Sequence, residues 1–125
     1  MSHSSTELSY SLPRFKHIVS NPQLKSFNFV QASDGVSFNI YTDGSEAYFA
    51  EFDASNPPNI YIQQKDTDHP TPRYWSVNKL SNGTYTIGPI GGSPNVWTAP
   101  TKDGQLYLAD DTKNPPTVKQ QFTIS

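Results

Sequence analysis

The histidine, serine and cysteine residues decide whether this chain could carry out catalysis. Its three imidazoles belong to His3, His17 and His69, and none of them lies near a glycine-flanked serine that an imidazole base could activate. There is no cysteine to serve as a nucleophile, and no glycine-rich sequence of the type that binds phosphate groups. The sequence therefore predicts a protein that is not an enzyme and uses no cofactor.

One short segment contains several possible metal ligands. Asp66, Asp68 and His69 offer carboxylate oxygens and an imidazole nitrogen within four residues, a spacing that could hold a cation. The segment has no glycine at its turn position, no terminal glutamate for bidentate binding and no second histidine nearby. We therefore interpret it as a polar loop and predict no metal site.

The charged residues are few and scattered. Nine basic and eleven acidic residues give a formal net charge of −2, and no run of Lys or Arg could follow a phosphate backbone. No stretch reaches the roughly 20 apolar residues of a membrane span. The polar residues 1–7 lack the apolar core of a signal peptide, and the absence of cysteine fits a reducing compartment. We expect no nucleic-acid or membrane partner, and a cytoplasmic protein that could also be released.

The remaining composition is typical of β-structure. Aromatic residues make up 13% of the chain and hydrophobic residues 34%, which is too apolar for a disordered chain. Eleven prolines, spread from Pro13 to Pro116, interrupt the chain so often that a long helix has no room. With 125 residues, the chain has the length of one domain. We predict a single all-β domain over residues 1–125.

A short pattern recurs along the chain. Residues 27–29, 75–77 and 122–124 each consist of an aromatic, a small polar and an apolar residue, at spacings of 48 and 47 residues. A Ser-Asx-Gly sequence follows the first two, at residues 33–35 and 81–83. Asx-Gly between alternating apolar runs is a strong signal for a hairpin turn. The pattern therefore predicts an internal repeat with a hairpin at equivalent places in two copies.

The strands that follow these turns define the extent of the repeat. Residues 38–40 and 85–87 both alternate in polarity, but they lie 47 residues apart instead of 48, which indicates a one-residue insertion. Further alternations predict four short strands in each of two long copies, 34–77 and 82–124. A first copy over about residues 7–30 has room for only three readable strands. Trp75 ends a copy, and we predict that it lies in the core.

Six segments of this pattern resemble a known group of proteins. They are Pro72-Arg73-Tyr74-Trp75-Ser76-Val77, Gly83-Thr84-Tyr85-Thr86-Ile87, Gly91-Gly92, Trp97-Thr98-Ala99-Pro100, Pro115-Pro116 and Gln121-Phe122-Thr123-Ile124. With them, residues 33–125 resemble the cysteine-free fungal β-trefoil proteins, which include the cospin-like serine protease inhibitors. The resemblance implies a β-trefoil, in which three four-stranded units close a short barrel. Ricin-type β-trefoil lectins are more distant, because their Gln-x-Trp signature is met here only by Gln120-Gln121-Phe122.

The resemblance to inhibitors implies a defence function carried by one protruding loop. The candidate is Lys113, with the adjacent Asn114, in the loop from Asp110 to Pro116. A basic side chain would fill the specificity pocket of a trypsin-like serine protease, whose floor is a carboxylate. Two prolines after Asn114 would stiffen the loop and reduce the entropy lost on binding. The alternative is an ordinary solvated lysine in a turn.

A second candidate loop carries Asn21 and Pro22. Some relatives insert an asparagine into the protease, and Asn21 lies in a predicted turn of the first copy. Asn-Pro is also a common turn sequence, so an ordinary turn is the alternative. The sequence 56–58, Asn-Pro-Pro, repeats the pattern in the second copy and has the same two interpretations.

The second functional hypothesis is a carbohydrate-binding lectin with a glycan as its partner. In β-trefoil lectins, an aromatic ring of a hairpin stacks on the sugar while nearby Asp or Asn oxygens bind its hydroxyls. The matching candidates here are Trp97 and Tyr107 for stacking, with Asp103, Asn95 and Asp110 as hydrogen-bonding groups. Core packing is the alternative interpretation of Trp97.

Overall fold

Alternation of apolar and polar side chains favours β-strands, and the described residues form strands joined by turns and loops, with one 3-10 turn at Val118–Gln120. The structure is a computed structural model that describes residues 8–9, 19–20, 27–42, 45–91, 93–100, 104–110 and 116–122. Its strands are β1 (Leu8–Ser9), β2 (Val19–Ser20), β3 (Phe27–Gln31), β4 (Phe38–Thr42), β5 (Ser45–Phe52), β6 (Ile60–Gln64), β7 (Tyr74–Lys79), β8 (Tyr85–Pro89), β9 (Asn95–Thr98), β10 (Gly104–Gln105) and β11 (Tyr107–Asp110). The predicted all-β class is confirmed.

The strands form one large and two small antiparallel sheets. The large sheet has the order β6-β5-β4-β7-β8, with β3 also paired to β4, and it curls strongly into a half-barrel. Strand β9 pairs with β11, and β2 pairs with both β1 and β10. A curled sheet places one face of every strand toward a common centre, and the core residues lie there.

Each predicted Asx-Gly sequence forms the turn of a hairpin. The first joins β3 to β4 and the second joins β7 to β8. Gly35 has a φ of 74° and Gly83 a φ of 89°, values that side chains other than glycine rarely adopt. The Oδ1 atoms of Asp34 and Asn82 accept hydrogen bonds from the backbone N–H two residues further on, at 2.8 and 3.0 Å respectively. Both copies therefore use the same side-chain-braced turn.

The one-residue insertion lies within the first of these turns. In the second turn the N–H of Leu80 donates to the carbonyl of Thr84 at 2.7 Å. In the first, the N–H of Ala32 donates to the carbonyl of Ser37 at 2.8 Å, so the same bond closes a loop one residue longer. The additional residue is Val36, whose side chain is 75% exposed.

The two long copies also share their long-range strand pairing. Phe38 pairs with Trp75, and Tyr85 pairs with Phe122. Each residue of the second pair lies 47 residues after its equivalent in the first pair. In the region of the first copy, β1 and β2 pair with each other, with Leu8 opposite Ser20. The other residues of that copy before Phe27 lie outside the described residues.

Core residues come in equivalent pairs from the two long copies. Ile40 corresponds to Ile87, and Trp75 corresponds to Phe122, each at a spacing of 47 residues. All four are fully buried, which confirms the prediction for Trp75. The whole buried cluster comprises Ile40, Ala50, Ile60, Ile62, Trp75, Ile87, Trp97, Leu106, Leu108 and Phe122.

The two buried indoles differ in their hydrogen bonding, and this difference gives a test of the core. Trp75 Nε1 donates to the carbonyl of Ala50 at 3.2 Å, whereas Trp97 Nε1 has no partner in the described part of the chain. We expect Trp75→Phe to reduce the free energy of unfolding by about 1–2 kcal/mol more than Trp97→Phe, because only the first loses a hydrogen bond. Urea denaturation of both variants measures the difference, and equal losses would contradict it.

Candidate functional site

Trp97, expected either to stack on a sugar or to pack in the core, is a core residue. Its side chain is 0% exposed. Its ring meets Trp75 edge to face with centroids 5.3 Å apart, and Phe122 with centroids 6.2 Å apart. Because no face of the indole reaches solvent, the structure corrects the alternative in which Trp97 stacks on a glycan.

The other residues proposed for the sugar-binding hairpin do not surround one point. Asn95 begins β9 and Tyr107 begins β11, and the two strands are antiparallel. Asp110 lies opposite Asn95, whereas Tyr107 lies opposite Thr98, three residues from Asn95, a separation of roughly 10 Å along the strand. Asp103 lies outside the described residues. The predicted constellation is not assembled by the described part of the hairpin.

The residues proposed for protease binding, namely Lys113, Asn114, Asn21 and Pro22, lie outside the described residues. The structure does describe both ends of the loop that carries Lys113. Strand β11 ends at Asp110, and the described chain resumes at Pro116. The Lys113 loop can therefore be judged by the groups that hold its two ends.

Two buried glutamines hold the ends of this loop. Gln120 Nε2 donates to the carbonyl of Asp110 at 3.1 Å, and Gln121 Nε2 donates to the carbonyl of Pro116 at 2.8 Å. Their side chains belong to residues that are only 5% and 6% exposed, so water competes little for these bonds. The backbone is therefore held at Asp110 and at Pro116, on either side of Lys113 in the sequence.

Gln121 also ties this loop to the second hairpin turn. Its Oε1 accepts a hydrogen bond from Asn82 Nδ2 at 2.8 Å and lies 3.1 Å from the hydroxyl of Thr84. The Thr84 hydroxyl lies 2.6 Å from Asn82 Oδ1. One buried carboxamide therefore connects two turns that are far apart in sequence.

The loop between β5 and β6 is exposed and internally braced. Asp53 Oδ1 accepts hydrogen bonds from the N–H of Ser55 at 3.0 Å and of Asn59 at 2.8 Å. The N–H of Asp53 donates to the carbonyl of Asn59 at 3.0 Å, which closes the base of the loop. Asn56 lies between these anchors and is exposed. This is the described counterpart of the asparagine-proline loops identified in the sequence.

A cleft of about 360 Å³ lies between the β3–β4 turn, strand β7 and the start of β9. None of the described residues that line it is charged. The hydroxyl and carboxamide side chains that line it are Ser37, Ser76, Asn78, Ser93 and Asn95. Among the residues proposed for sugar binding, Asn95 is thus the one placed in a concave surface.

A close backbone approach forms one wall of this cleft. A Cβ atom at Gly88 would lie 2.5 Å from the carbonyl oxygen of Asn95, closer than a side-chain carbon can approach. Glycine at this position lets β8 pack directly against the beginning of β9. The position of Asn95 in the cleft therefore depends on the absence of a side chain at residue 88.

The polar groups of the cleft are partly free to bind a ligand. Asn78 Nδ2 donates to the hydroxyl of Ser76 at 3.2 Å, and the Ser93 hydroxyl accepts from the N–H of Asn95 at 3.2 Å. The carboxamide of Asn95 makes no hydrogen bond to a described residue. Two exposed apolar side chains, Val36 at 75% and Ile90 at 48%, lie beside these groups. The surface combines uncharged donors and acceptors with apolar area.

Sequence reasoning did not identify the β7 part of this cleft. It treated Ser76 only as a small polar residue next to an aromatic, and it did not consider Asn78. The available signal was the strand period of two, which places Ser76 and Asn78 on the face opposite Trp75 and Val77. The neighbouring elements of the cleft come from distant parts of the chain and gave no local signal.

The Asp66–His69 segment forms a closed polar turn. Asp66 Oδ1 accepts hydrogen bonds from the N–H of Asp68 at 3.0 Å and of His69 at 2.8 Å, and lies 3.2 Å from His69 Nδ1. The carboxylate is thus used inside its own loop. Among the described residues, no group of three or more His, Cys, Asp or Glu side chains could hold a metal ion.

Comparison with protein-family models, with curated proteins and with solved structures finds no match to this chain. Within the part of the chain that the structure describes, no helix has the length and apolar character needed to cross a bilayer. The candidate sites therefore have to be judged on their own geometry.

The loop anchor can be tested through the stability of the protein. We expect Gln121→Ala to lower the free energy of unfolding by about 2–3 kcal/mol, because groups of Pro116, Thr84 and Asn82 lose a hydrogen bond and the first two residues are buried. The matched control is Gln64→Ala, since the Gln64 carboxamide is half-buried and makes no hydrogen bond to a described residue. Chemical denaturation compares the two, and a similar loss in both would show that Gln121 is not an anchor.

The turn beside the cleft has a predicted pH dependence. A hydrogen bond from the Ser37 hydroxyl, with others from the N–H groups of Val36 and Ser37, lowers the pKa of Asp34 from its ordinary 3.8. The carboxylate therefore contributes full stability above pH 3.8 and loses its contribution as the pH falls through the lowered pKa.

The test of this pH dependence uses the residue found in the other copy. Asp34→Asn introduces the carboxamide that stands at Asn82 and cannot ionise. We expect the stability difference between the parent and Asp34→Asn to be constant above about pH 5 and to change progressively below about pH 4. Thermal unfolding at a series of pH values measures it, and a constant difference down to pH 2 would contradict the role of Asp34.

Proposed function

We propose that this chain is a non-enzymatic β-trefoil defence protein that inhibits a trypsin-like serine protease. The observation that carries the proposal is the pair of buried glutamines that fix both ends of the loop bearing Lys113. The resemblance of residues 33–125 to cysteine-free fungal β-trefoil inhibitors supports the same function.

The trefoil part of the proposal is supported by the repeated strand pairing. Hairpins at equivalent turns and the paired residues Phe38–Trp75 and Tyr85–Phe122 recur at a spacing of 47 residues. The half-barrel sheet is compatible with one side of a trefoil barrel. In this proposal, the first copy, over about residues 7–30, completes the barrel with β1, β2 and β3.

An inhibitory loop must keep its shape before it meets the protease. Ordering a flexible loop on binding costs about 0.5–1.5 kcal/mol for each immobilised side chain, and pre-ordering the loop removes part of that cost. Gln120 and Gln121 fix the backbone at Asp110 and Pro116. Pro115 and Pro116 restrict the backbone further. These constraints favour a loop that binds without refolding.

Lys113 supplies the chemistry of recognition in this proposal. Its ammonium group would enter the primary specificity pocket and pair with the carboxylate at the pocket floor. No covalent step or cofactor is required for inhibition of this type. Asn114 would follow Lys113 in the binding cleft of the protease.

The lectin alternative has no comparable support at its original site. Trp97 is fully buried, and Asn95 and Tyr107 begin strands that run in opposite directions. We therefore do not place a glycan at the third hairpin. Asn95 has a separate role to consider, as part of the cleft.

Titration of trypsin activity tests the inhibitor proposal. The parent protein should inhibit trypsin, and Lys113→Ala should weaken inhibition by roughly 10²–10³-fold, the loss expected when a central anchoring side chain is removed. Gln120 and Gln121 hold the two ends of this loop, so we expect the free energy of unfolding to be unchanged by Lys113→Ala.

Asn56→Ala is the matched control for this experiment. Asn56 also lies in an exposed, braced loop with following prolines, but it carries no charge for a trypsin-type pocket. We expect its inhibition constant to equal that of the parent. If the parent does not inhibit trypsin, the proposal is wrong. If only Asn56→Ala loses inhibition, the loop that contacts the protease is residues 53–59 and not the loop of Lys113.

A further inference from the structure

The cleft beside β7 plays no part in the inhibitor proposal, since none of its lining residues belongs to the loop of Lys113. Its chemistry nevertheless fits one class of small ligand. We infer that this cleft binds a neutral oligosaccharide, with Asn95 as the central hydrogen-bonding residue. The inferred site shares Asn95 with the third-hairpin candidates but none of its other residues, and it does not depend on protease inhibition.

The absence of charge in the cleft excludes charged ligands as its natural class. The chain contains 20 acidic or basic residues among 125, yet every described residue that lines the cleft is uncharged. A phosphate, sulfate or carboxylate bound there would lose hydration without gaining an opposite charge. A neutral polar ligand avoids that cost.

The polar groups of the cleft match hydroxyl-rich ligands in particular. A sugar hydroxyl both donates and accepts hydrogen bonds, and carboxamide and hydroxyl side chains can do the same. Asn95 offers an NH₂ group and a carbonyl oxygen that no described residue occupies. Ser76, Asn78 and Ser93 place further hydroxyl and carboxamide groups along the same cleft.

The apolar groups of the cleft suit the other half of a sugar. Pyranose rings carry C–H faces that lose contact with water when they pack on apolar side chains. Val36 and Ile90 are two of the four exposed large hydrophobic residues in the described part of the chain, and both line this cleft. Its volume of about 360 Å³ lies within the range of small-molecule sites, about 300–1,000 Å³.

A peptide bound as an additional strand is a poorer fit to the same surface. Strand addition requires a sheet edge with unpaired backbone groups. Strand β7 pairs with β8 from Trp75 to Lys79 and with β4 only at Tyr74 and Trp75. The edge left beside the cleft is four residues long, 76–79, which is shorter than the usual strand of about 5–6 residues. Ser76 and Asn78 line the cleft, so a ligand there meets their hydroxyl and carboxamide side chains.

The experiment uses the full chain and a printed array of neutral and acidic glycans. We expect binding to neutral glycans, confirmed by calorimetric titration with the best-bound neutral oligosaccharide. Asn95→Ala should weaken that binding by at least tenfold. Asn56→Ala, an exposed asparagine outside the cleft, should bind like the parent, and both variants should keep the parent's trypsin inhibition and thermal midpoint.

A second variant guards against a folding defect in Asn95→Ala, because that residue begins a strand. Asn78 is exposed, and Asn78→Ala should weaken binding without affecting the fold. Either variant that folds and loses binding supports the inference. A blank array, a preference for acidic glycans, or unchanged binding in folded Asn95→Ala and Asn78→Ala would overturn it, whatever the outcome with trypsin.

Discussion

The edge-to-face contact between the indoles of Trp75 and Trp97 joins the second copy of the repeat to the third, with ring centroids 5.3 Å apart. Short strands of one copy cannot bury their apolar faces alone, so each copy needs the others to form a core. Trp97 stands 47 residues after Ala50. Of the equivalent residues Ala50 and Trp97, only Trp97 carries a large ring. The centre of the core therefore accommodates this indole without the strain of overpacking.

The same framework permits different contacts on its outer side. In the second copy, Arg73 Nε pairs with Glu51 Oε1 at 2.5 Å. At the equivalent positions of the third copy, Gln120 Nε2 lies 3.3 Å from the hydroxyl of Thr98. The glutamine has a second donor hydrogen, which binds the carbonyl of Asp110. The anchor of the proposed inhibitory loop thus arises where the repeat departs from its own symmetry.

Features with local signals were predictable from the sequence. The Asx-Gly turns, the insertion between the two copies, the burial of Trp75 and most strands follow from short patterns, because turn chemistry and strand alternation act over a few residues. The role of Trp97 was open, since an aromatic residue in an alternating strand can face either the core or a ligand. Its contacts with Trp75 and Phe122 decide it.

Features built from distant segments were not predictable in this way. Gln121 and its partner Asn82 are 39 residues apart, and no local pattern connects them. The cleft likewise combines residues near positions 37, 77 and 94, which only the pairing of β7 with β4 and β8 brings close. Sequence periodicity determines which face a side chain occupies, but it does not determine which other side chains share that face.

The two proposed binding surfaces rest on separate supports. The loop of Lys113 depends on Gln120 and Gln121, whereas the cleft depends on β7 and on the close approach that Gly88 allows. The strands near both supports bring the fully buried residues Trp75, Ile87 and Phe122 into the core, and the β7–β8 hairpin has its counterpart in the β3–β4 hairpin. Because the inward side chains secure the framework, the outward residues can differ between copies at little cost to the core, and distinct ligands can be recognised on one small fold.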